Sequence, residues 1–315
     1  MNVLITGAAG FIASHLTDRY LAQGDRVVGI DNFVTGSRDN ITQATANSSF
    51  TFLEGDITRL DVEQLRGLPA PELILHCASP ASPVDYAQLP LETLAVNSIG
   101  TRVCLEAAVT FGARFLFAST SETYGDPLEH PQRESYWGNV NPVGVRSCYD
   151  EGKRFGEALA MAYHRKKNLD ARIIRIFNTY GPRMRRSDGR VVPNFIAQAL
   201  AGEPLTLYGE GAQTRSFCYV SDLVEGIMAC ASSPRTTGEV VNLGNPDERS
   251  IAEFARAVSA AAGVPLKTVR KPMPSDDPTR RCPDISKARA LLGWEPTVPL
   301  EEGLRLTVES FRLAA

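Results

Sequence analysis

Short unbroken apolar runs alternate, through the first half of this chain, with stretches in which apolar residues recur at helical spacing. Val3-Leu4-Ile5 is such a run and reads as a strand buried on both faces, while Phe11 to Gln23 carries apolar positions three and four apart until Gly24 stops it. The same pattern puts strands near residues 26–30, 50–54, 72–77, 114–118 and 171–176, with helical stretches between them that include 92–111 and 150–166. This alternation predicts an α/β fold with a doubly wound parallel sheet. After Thr179 the rhythm loosens, punctuated by Gly181-Pro182, Gly209-Glu-Gly211, Asn245-Pro246 and the stretch from Pro272 to Pro283. A first domain over 1–178 is expected, with a return segment at about 216–243. Residues 179–215 and 244–315 then form a smaller, discontinuous C-terminal domain.

Composition narrows the options. A chain of 315 residues that is 43% hydrophobic can bury a large core, and a formal net charge of −3 gives no reason to expect nucleic acid or an anionic membrane surface. No apolar run reaches spanning length, and the sequence enters its first strand at once, which leads us to expect a cytoplasmic protein without a signal peptide. The six cysteines are scattered without zinc spacing and the four histidines form no ligand pattern, so no metal site is expected. His76, at the end of an apolar strand, reads as a packed residue.

Two local motifs carry chemistry. Gly7-Ala-Ala-Gly10-Phe-Ile-Ala13 lies between the first strand and the first helix, where Gly7 and Gly10 let the backbone turn and approach a ligand. Free amides at a helix N-terminus then suit a pyrophosphate. The next strand, Arg26 to Ile30, ends in Asp31-Asn32, at the distance where a carboxylate meets the adenosine ribose. A carboxylate there repels a 2′-phosphate, so the cofactor expected is NAD and the sheet is of the Rossmann type. The second motif is Tyr149 and Lys153, four apart and therefore on one helix face. A tyrosine is a poor base at neutral pH, but a nearby ammonium and the positive nicotinamide would both favour its phenolate.

Together the glycine turn, spaced GxxGxxA rather than GxxGxxG, and the Tyr149–Lys153 pair resemble the extended short-chain dehydrogenase/reductase family, which acts on nucleotide-sugars. The likeness to its UDP-glucuronate decarboxylases runs along almost the whole chain: His76-Cys-Ala-Ser-Pro-Ala-Ser-Pro83, Ser119-Thr-Ser-Glu-Thr-Tyr-Gly-Asp126, Arg146-Ser-Cys-Tyr-Asp-Glu-Gly-Lys-Arg154, Arg175-Ile-Phe-Asn-Thr-Tyr-Gly-Pro-Arg183 and Gln213 to Leu223 all take part. The triplet Thr120-Ser121-Glu122 separates subfamilies. The 4,6-dehydratases carry Asp-Glu after the threonine and the 4-epimerases usually carry small neutral residues, whereas Ser-Glu resembles the decarboxylases. A 4-epimerase or 4,6-dehydratase remains the enzymatic alternative, and an NAD-sensing binding protein the non-enzymatic one.

The resemblance implies a set of roles. Tyr149, Lys153, Thr120, Ser121, Glu122 and Arg281 would be catalytic. Gly7, Gly10, Phe11, Ile12, Asp31, Asn32, Phe33, Thr35, Gly36, Asp56, Ile57 and Ser79 would join Tyr149 and Lys153 in holding NAD, although Asp56 reads equally well as a helix cap. Ser82, Asn178, Arg190, Leu207, Tyr208, Arg215 and Arg281 would bind the UDP-sugar, with the strand backbone at Leu205 to Tyr208 offered to uracil. Three points stay open in the sequence. Glu122 sets a second negative charge near a substrate carboxylate, which requires either repulsion that helps expel the carboxylate or a protonated Glu122. Arg281 can also be read as an exposed loop arginine with Arg280 as its rival, and the run Arg183, Arg185, Arg186 and Arg190 as a solvated loop. The helices at 92–111 and 150–166 suit a homodimer by analogy, or internal packing.

Overall fold

A computed structural model describes residues 1–272 and 280–313 of the chain. Six strands appear where the apolar runs fall: β1 (Asn2–Thr6), β2 (Arg26–Asp31), β3 (Phe50–Glu54), β4 (Leu73–His76), β5 (Arg114–Thr120) and β6 (Ala171–Ile176). All pair in parallel, and with a later strand, β11 (Val240–Leu243), they form one sheet in the order β11-β6-β5-β4-β1-β2-β3. The strand sequence reverses direction between β1 and β4, which opens a crevice beyond their carboxyl ends. Helices on both faces bury the sheet between two apolar clusters, one around Leu16, Ile227 and Val241, the other around Leu105, Phe115 and Ala160.

Two differences from the sequence pattern bear on the site. β5 continues to Thr120, so Ser119 and Thr120 are the end of a central strand rather than a loop after it. The helical stretch at 92–111 is interrupted: Pro90–Ala95 and Thr101–Phe111 flank a π-helical turn at Val96–Gly100. Such π turns concentrate at functional sites. The helix of Ser147–Lys167 packs over β5 and β6.

Beyond β6 the chain builds small sheets at the same edge. β7 (Thr179–Tyr180) pairs with β10 (Cys218–Tyr219), and β8 (Leu205–Tyr208) with β13 (Thr268–Lys271). β9 (Thr214–Ser216) lies between β12 (Glu248–Ser250) and β14 (Arg280–Arg281). The helix Val220–Ser232 leads back to β11, which pairs with β6 from Val240↔Ile173 to Leu243↔Ile176. Of the proline-bounded stretch from Pro272 to Pro283, residues 273–279 lie outside the described residues.

Candidate active site

The cofactor end is shaped by close backbone approach. Gly7 has φ +73, and a Cβ there would stand 2.8 Å from the Ala78 backbone, so only glycine fits where the segments after β1 and β4 converge. The helix Phe11–Ala22 starts at Gly10 with no capping side chain and no acid in its first turn. Its first amides, at Phe11 and Ile12, are therefore suited to an anion. Asp31 is buried and accepts from Ala9 N at 2.9 Å and Phe33 N at 2.7 Å. Burial raises its carboxyl above the ordinary range, with those amides opposing.

A cavity of about 330 Å³ beside Asp31 is also lined by Gly7, Asn32, Thr35, Asp56, Ile57 and Ser79. Asp56 accepts from the Thr58 amide and hydroxyl and so caps the turn Ile57–Arg59, while also lining this cavity. Phe33 and Gly36 do not line the cavity. Phe33 lies under the Arg38 guanidinium, 4.2 Å from its ring centroid, and Gly36 leaves the space that a Cβ would take from Ala9 and Asp31 at 3.0 Å. Arg38 itself pairs with Glu54 at 2.7 Å. These residues fit NAD: a glycine cradle, an uncapped helix end and a carboxylate beside a pocket for adenosine.

A larger cavity of about 690 Å³ joins this end to the loops of the small sheets. On its floor, four successive β5 residues each meet one residue of the helix Ser147–Lys167. Phe117 fills the space left by Gly156, where a Cβ would come within 2.4 Å of its ring. The Ala118 carbonyl accepts from Lys153 Nζ at 2.8 Å, Ser119 Oγ donates to Glu157 at 2.6 Å, and Thr120 stands beside Tyr149. Tyr149 also stacks on Tyr86, with ring centroids 5.1 Å apart.

Burial holds the Tyr149 phenol above its usual value, the neighbouring Thr120 hydroxyl partly opposing, and lowers Lys153 to about 8. On one helix face with Tyr149, Lys153 is expected to favour the phenolate. Its ammonium instead engages Ala118 and lies 5.8 Å from the Tyr149 ring centroid. Position, rather than a lowered phenol, is what the free protein provides.

Glu122 resolves differently from either reading offered by the sequence. Its carboxylate is gripped by Arg146 Nη2 at 2.5 Å on one oxygen and by Arg281 Nη1 on the other. Burial works to raise its pKa, yet the two guanidinium groups hold it down at about 2, so it is neither protonated nor an uncompensated charge. Arg281 is 4% exposed, which excludes a solvated loop residue, whereas Arg280 faces outward. Arg281 Nη2 is buried without a hydrogen-bond partner among the described residues.

Sequence reasoning missed Arg146 as a site residue. The available signal was its place at the start of the helix, three residues before Tyr149. It also missed Asp150, a buried carboxyl raised to about 7 by burial and by the Glu122 charge, and Asn97, which stands in the π turn and donates to Ser79 Oγ at 2.9 Å.

At the nucleotide end, Asn178, Arg190, Tyr208 and Arg215 line the large cavity, as do Ser82, Ser121 and Arg281. Leu207 does not. Alternation along β8 sends Leu207 into the core and turns Thr206 and Tyr208 to the cavity, while the strand pairs with β13. Ser82 caps the helix Pro83–Gln88 by accepting from Asp85 N at 3.2 Å. The arginine run is not a solvated loop: Arg183 pairs with Asp18 at 2.6 Å, Arg185 with Asp85, Arg186 with the Phe311 carbonyl, and Arg190 with Asp188. Among the described residues, no cluster of histidine, cysteine or acidic side chains could hold a metal, and no helix is long and apolar enough to cross a membrane.

A parallel sheet with a dinucleotide cradle at its switch point, and a threonine, tyrosine and lysine at the end of β5, defines an NAD-dependent enzyme class. Residues 3–244 match the NAD dependent epimerase/dehydratase family. UDP-glucuronic acid decarboxylase 4 of Arabidopsis thaliana is 52% identical over 99% of this chain and 69% of its own length, and UDP-glucuronic acid decarboxylase 1 of Xenopus tropicalis is 50% identical over 99% and 72%. Among solved structures, a UDP-glucuronic acid 4-epimerase from Bacillus cereus, in complex with UDP-glucuronic acid and NAD, superposes with a TM-score of 0.90 at 30% identity over 100% of both chains. The chain belongs to the NAD dependent epimerase/dehydratase family and, within it, to the UDP-glucuronic acid decarboxylases.

Proposed function

We propose that this protein is a carboxy-lyase that converts UDP-glucuronate to UDP-xylose and carbon dioxide with NAD unchanged at the end of each cycle. The observation that carries this reading is the Arg146–Glu122–Arg281 clamp beside Thr120 and Tyr149. Arg281 is buried at the cavity wall with Nη1 on Glu122, and its Nη2, without a hydrogen-bond partner among the described residues, leaves a guanidinium donor for a ligand. That is a receptor for a second carboxylate, which a neutral hexose does not have.

NAD, when bound, supplies a reversible acceptor for the hydride at the sugar's C4. Tyr149, beside Thr120, takes the proton of the C4 hydroxyl, and the resulting ketone stands one carbon from the carbon bearing the carboxylate. Such a β-keto acid loses carbon dioxide because its electrons pass into the ketone as an enolate, which the Tyr149 and Thr120 hydroxyls stabilise as donors. Arg281 and Arg146 hold the carboxylate in place until it leaves and Glu122 keeps both arginines aimed; C5 then takes a proton from solvent, and C4 regains its hydride as Tyr149 gives the proton back to the C4 oxygen. Asn178 and Arg215 take the diphosphate, while Tyr208 and Arg190 line the nucleotide end. Arg185 and Arg183, tied to the first domain by ion pairs, close the cavity.

We further propose a cytoplasmic homodimer. Leu94, Ile99, Val109 and Phe155 are exposed on the two long helical segments, which supports pairing through them. The test of function is incubation of the NAD-loaded protein with UDP-glucuronate: carbon dioxide and UDP-xylose are expected. Interconversion of UDP-glucose and UDP-galactose without carbon dioxide would instead make it an epimerase.

A further inference from the structure

Behind the Tyr149–Lys153 face a second ionic group is buried under the same helix. Arg175 on β6 grips both oxygens of Glu157, Nε to Oε1 at 2.9 Å and Nη2 to Oε2 at 2.7 Å, and Ser119 Oγ donates to Oε1 at 2.6 Å. A buried ion pair is weak evidence for stability, since an apolar pair of similar volume often does as well. Its position is what informs. Glu157 follows Lys153 by four residues, so the two stand one turn apart on one helix face. They are fastened to adjacent β5 residues, Lys153 to the Ala118 carbonyl and Glu157 to the Ser119 hydroxyl.

The other ionisable groups that face Lys153 carry no negative charge near neutral pH. Burial drives the His76 imidazole on β4 down to about 3 and the Cys77 thiol up to about 12, and it raises the Tyr149 phenol. The ammonium is otherwise surrounded by the Phe117 ring, 4.9 Å from its centroid, and the Tyr149 ring. Glu157 is the carboxylate that favours its charged form. Arg175 and Ser119 restrain that carboxylate, which keeps it from drawing the ammonium off Ala118 into a direct ion pair.

We propose that Glu157, fixed by Ser119 and Arg175, is a positioning residue for Lys153: acting across one helical turn, it keeps the ammonium charged and facing the cavity, and so sets the upper pH limit of turnover. The inference rests on the part given to Lys153 in the reaction above. Burial already brings Lys153 down to about 8, so loss of the Glu157 charge moves it lower still.

The test measures kcat for carbon dioxide release from UDP-glucuronate across neutral and alkaline pH in the NAD-loaded enzyme. Glu157→Gln keeps one acceptor oxygen, which serves Ser119 and Arg175 Nε as Oε1 does, and removes the charge together with the Arg175 Nη2 bond. Its alkaline limb is expected to fall by about one pH unit, with KM little changed. Glu157→Asp, which keeps the charge, should hold the parental limb while kcat drops through looser positioning. An unmoved limb in folded, NAD-loaded Glu157→Gln, or an equal loss at every pH, overturns the proposal. Should that variant not fold, Ser119→Ala decides: it withdraws a donor but no charge, so the limb must stay or rise, and a fall overturns the argument. If the parent releases no carbon dioxide, the reaction assigned above has failed, and the limb is read from NADH formed with whichever UDP-sugar the parent oxidises.

Discussion

Replacing Glu122 by glutamine tests the clamp and the substrate at once. In the parent, the Glu122 carboxylate accepts from Arg146 and Arg281, whose side chains are 16% and 4% exposed. Removing it leaves two guanidinium groups facing each other across a cavity wall. Breaking a buried ion pair by deleting one partner costs about 3–5 kcal/mol, and partial exposure of Arg146 and Glu122 brings that to roughly 2–4. Unfolding entropy of about 2.1 cal/mol/K per residue converts this to a loss of roughly 3–6 °C in Tm for a chain of this length. The compensating charge can come from the ligand. UDP-glucuronate should therefore stabilise Glu122→Gln more than UDP-glucose does, and the gap between the two should exceed the parental gap by about 1 kcal/mol, or roughly five-fold in relative affinity. UDP-xylose formation should fall by at least about a hundred-fold. The assays are thermal unfolding with each nucleotide-sugar and single-turnover absorbance, in which trapped NADH would put the lesion after oxidation at C4. Parental Tm together with an unwidened gap would refute the clamp, and parental decarboxylation would refute the part given to Glu122.

Other substitutions probe the remaining assignments. Tyr149→Phe should lower kcat by about a thousand-fold while NAD and UDP still bind, because it removes a proton acceptor rather than a principal binding group; a near-parental rate would assign the base elsewhere. Asp31→Ala should weaken NAD and narrow its advantage over NADP, checked by titration with both dinucleotides, and an unchanged preference would dispose of the ribose argument. Asp150→Asn concerns stability. The folded carboxyl titrates at about 7, above its ordinary 3.8, so the folded state binds the extra proton and parental stability falls as pH rises between those values. The variant should thus gain about 1–3 kcal/mol over the parent above that window and lose the gain below it, and a Tm difference independent of pH would contradict the assignment.

What the sequence conveyed well was local. β1 with Gly7, β2 with Asp31 and the helix with Tyr149 and Lys153 each hold their chemistry within one segment, where apolar period, glycine position and side-chain type suffice. What it could not convey was set by contacts between segments. Arg146 meets Glu122 across 24 residues and Arg281 meets it across 159, and nothing in the pattern at either end announces the other. At β8 the strand itself was legible, and its alternation sends the Leu207 side chain into the core while Thr206 and Tyr208 face the cavity.

The same distinction explains why the end of β5 matters more than its composition suggested. In the sequence, the strand is expected to end near Ala118, with Thr120 beyond it as the active-site hydroxyl. In the fold, Phe117, Ala118, Ser119 and Thr120 all meet the helix Ser147–Lys167 in turn, at Gly156, Lys153, Glu157 and Tyr149. A sheet buried on both faces fixes β5 to within small displacements, because its neighbours β4 and β6 leave no free edge. The helix is therefore located by its rigid partner rather than by the cavity it serves. That arrangement lets Tyr149 and Lys153 keep their places while charge appears and disappears at the substrate, and it puts Gly156, which lines neither cavity, among the positions least able to change.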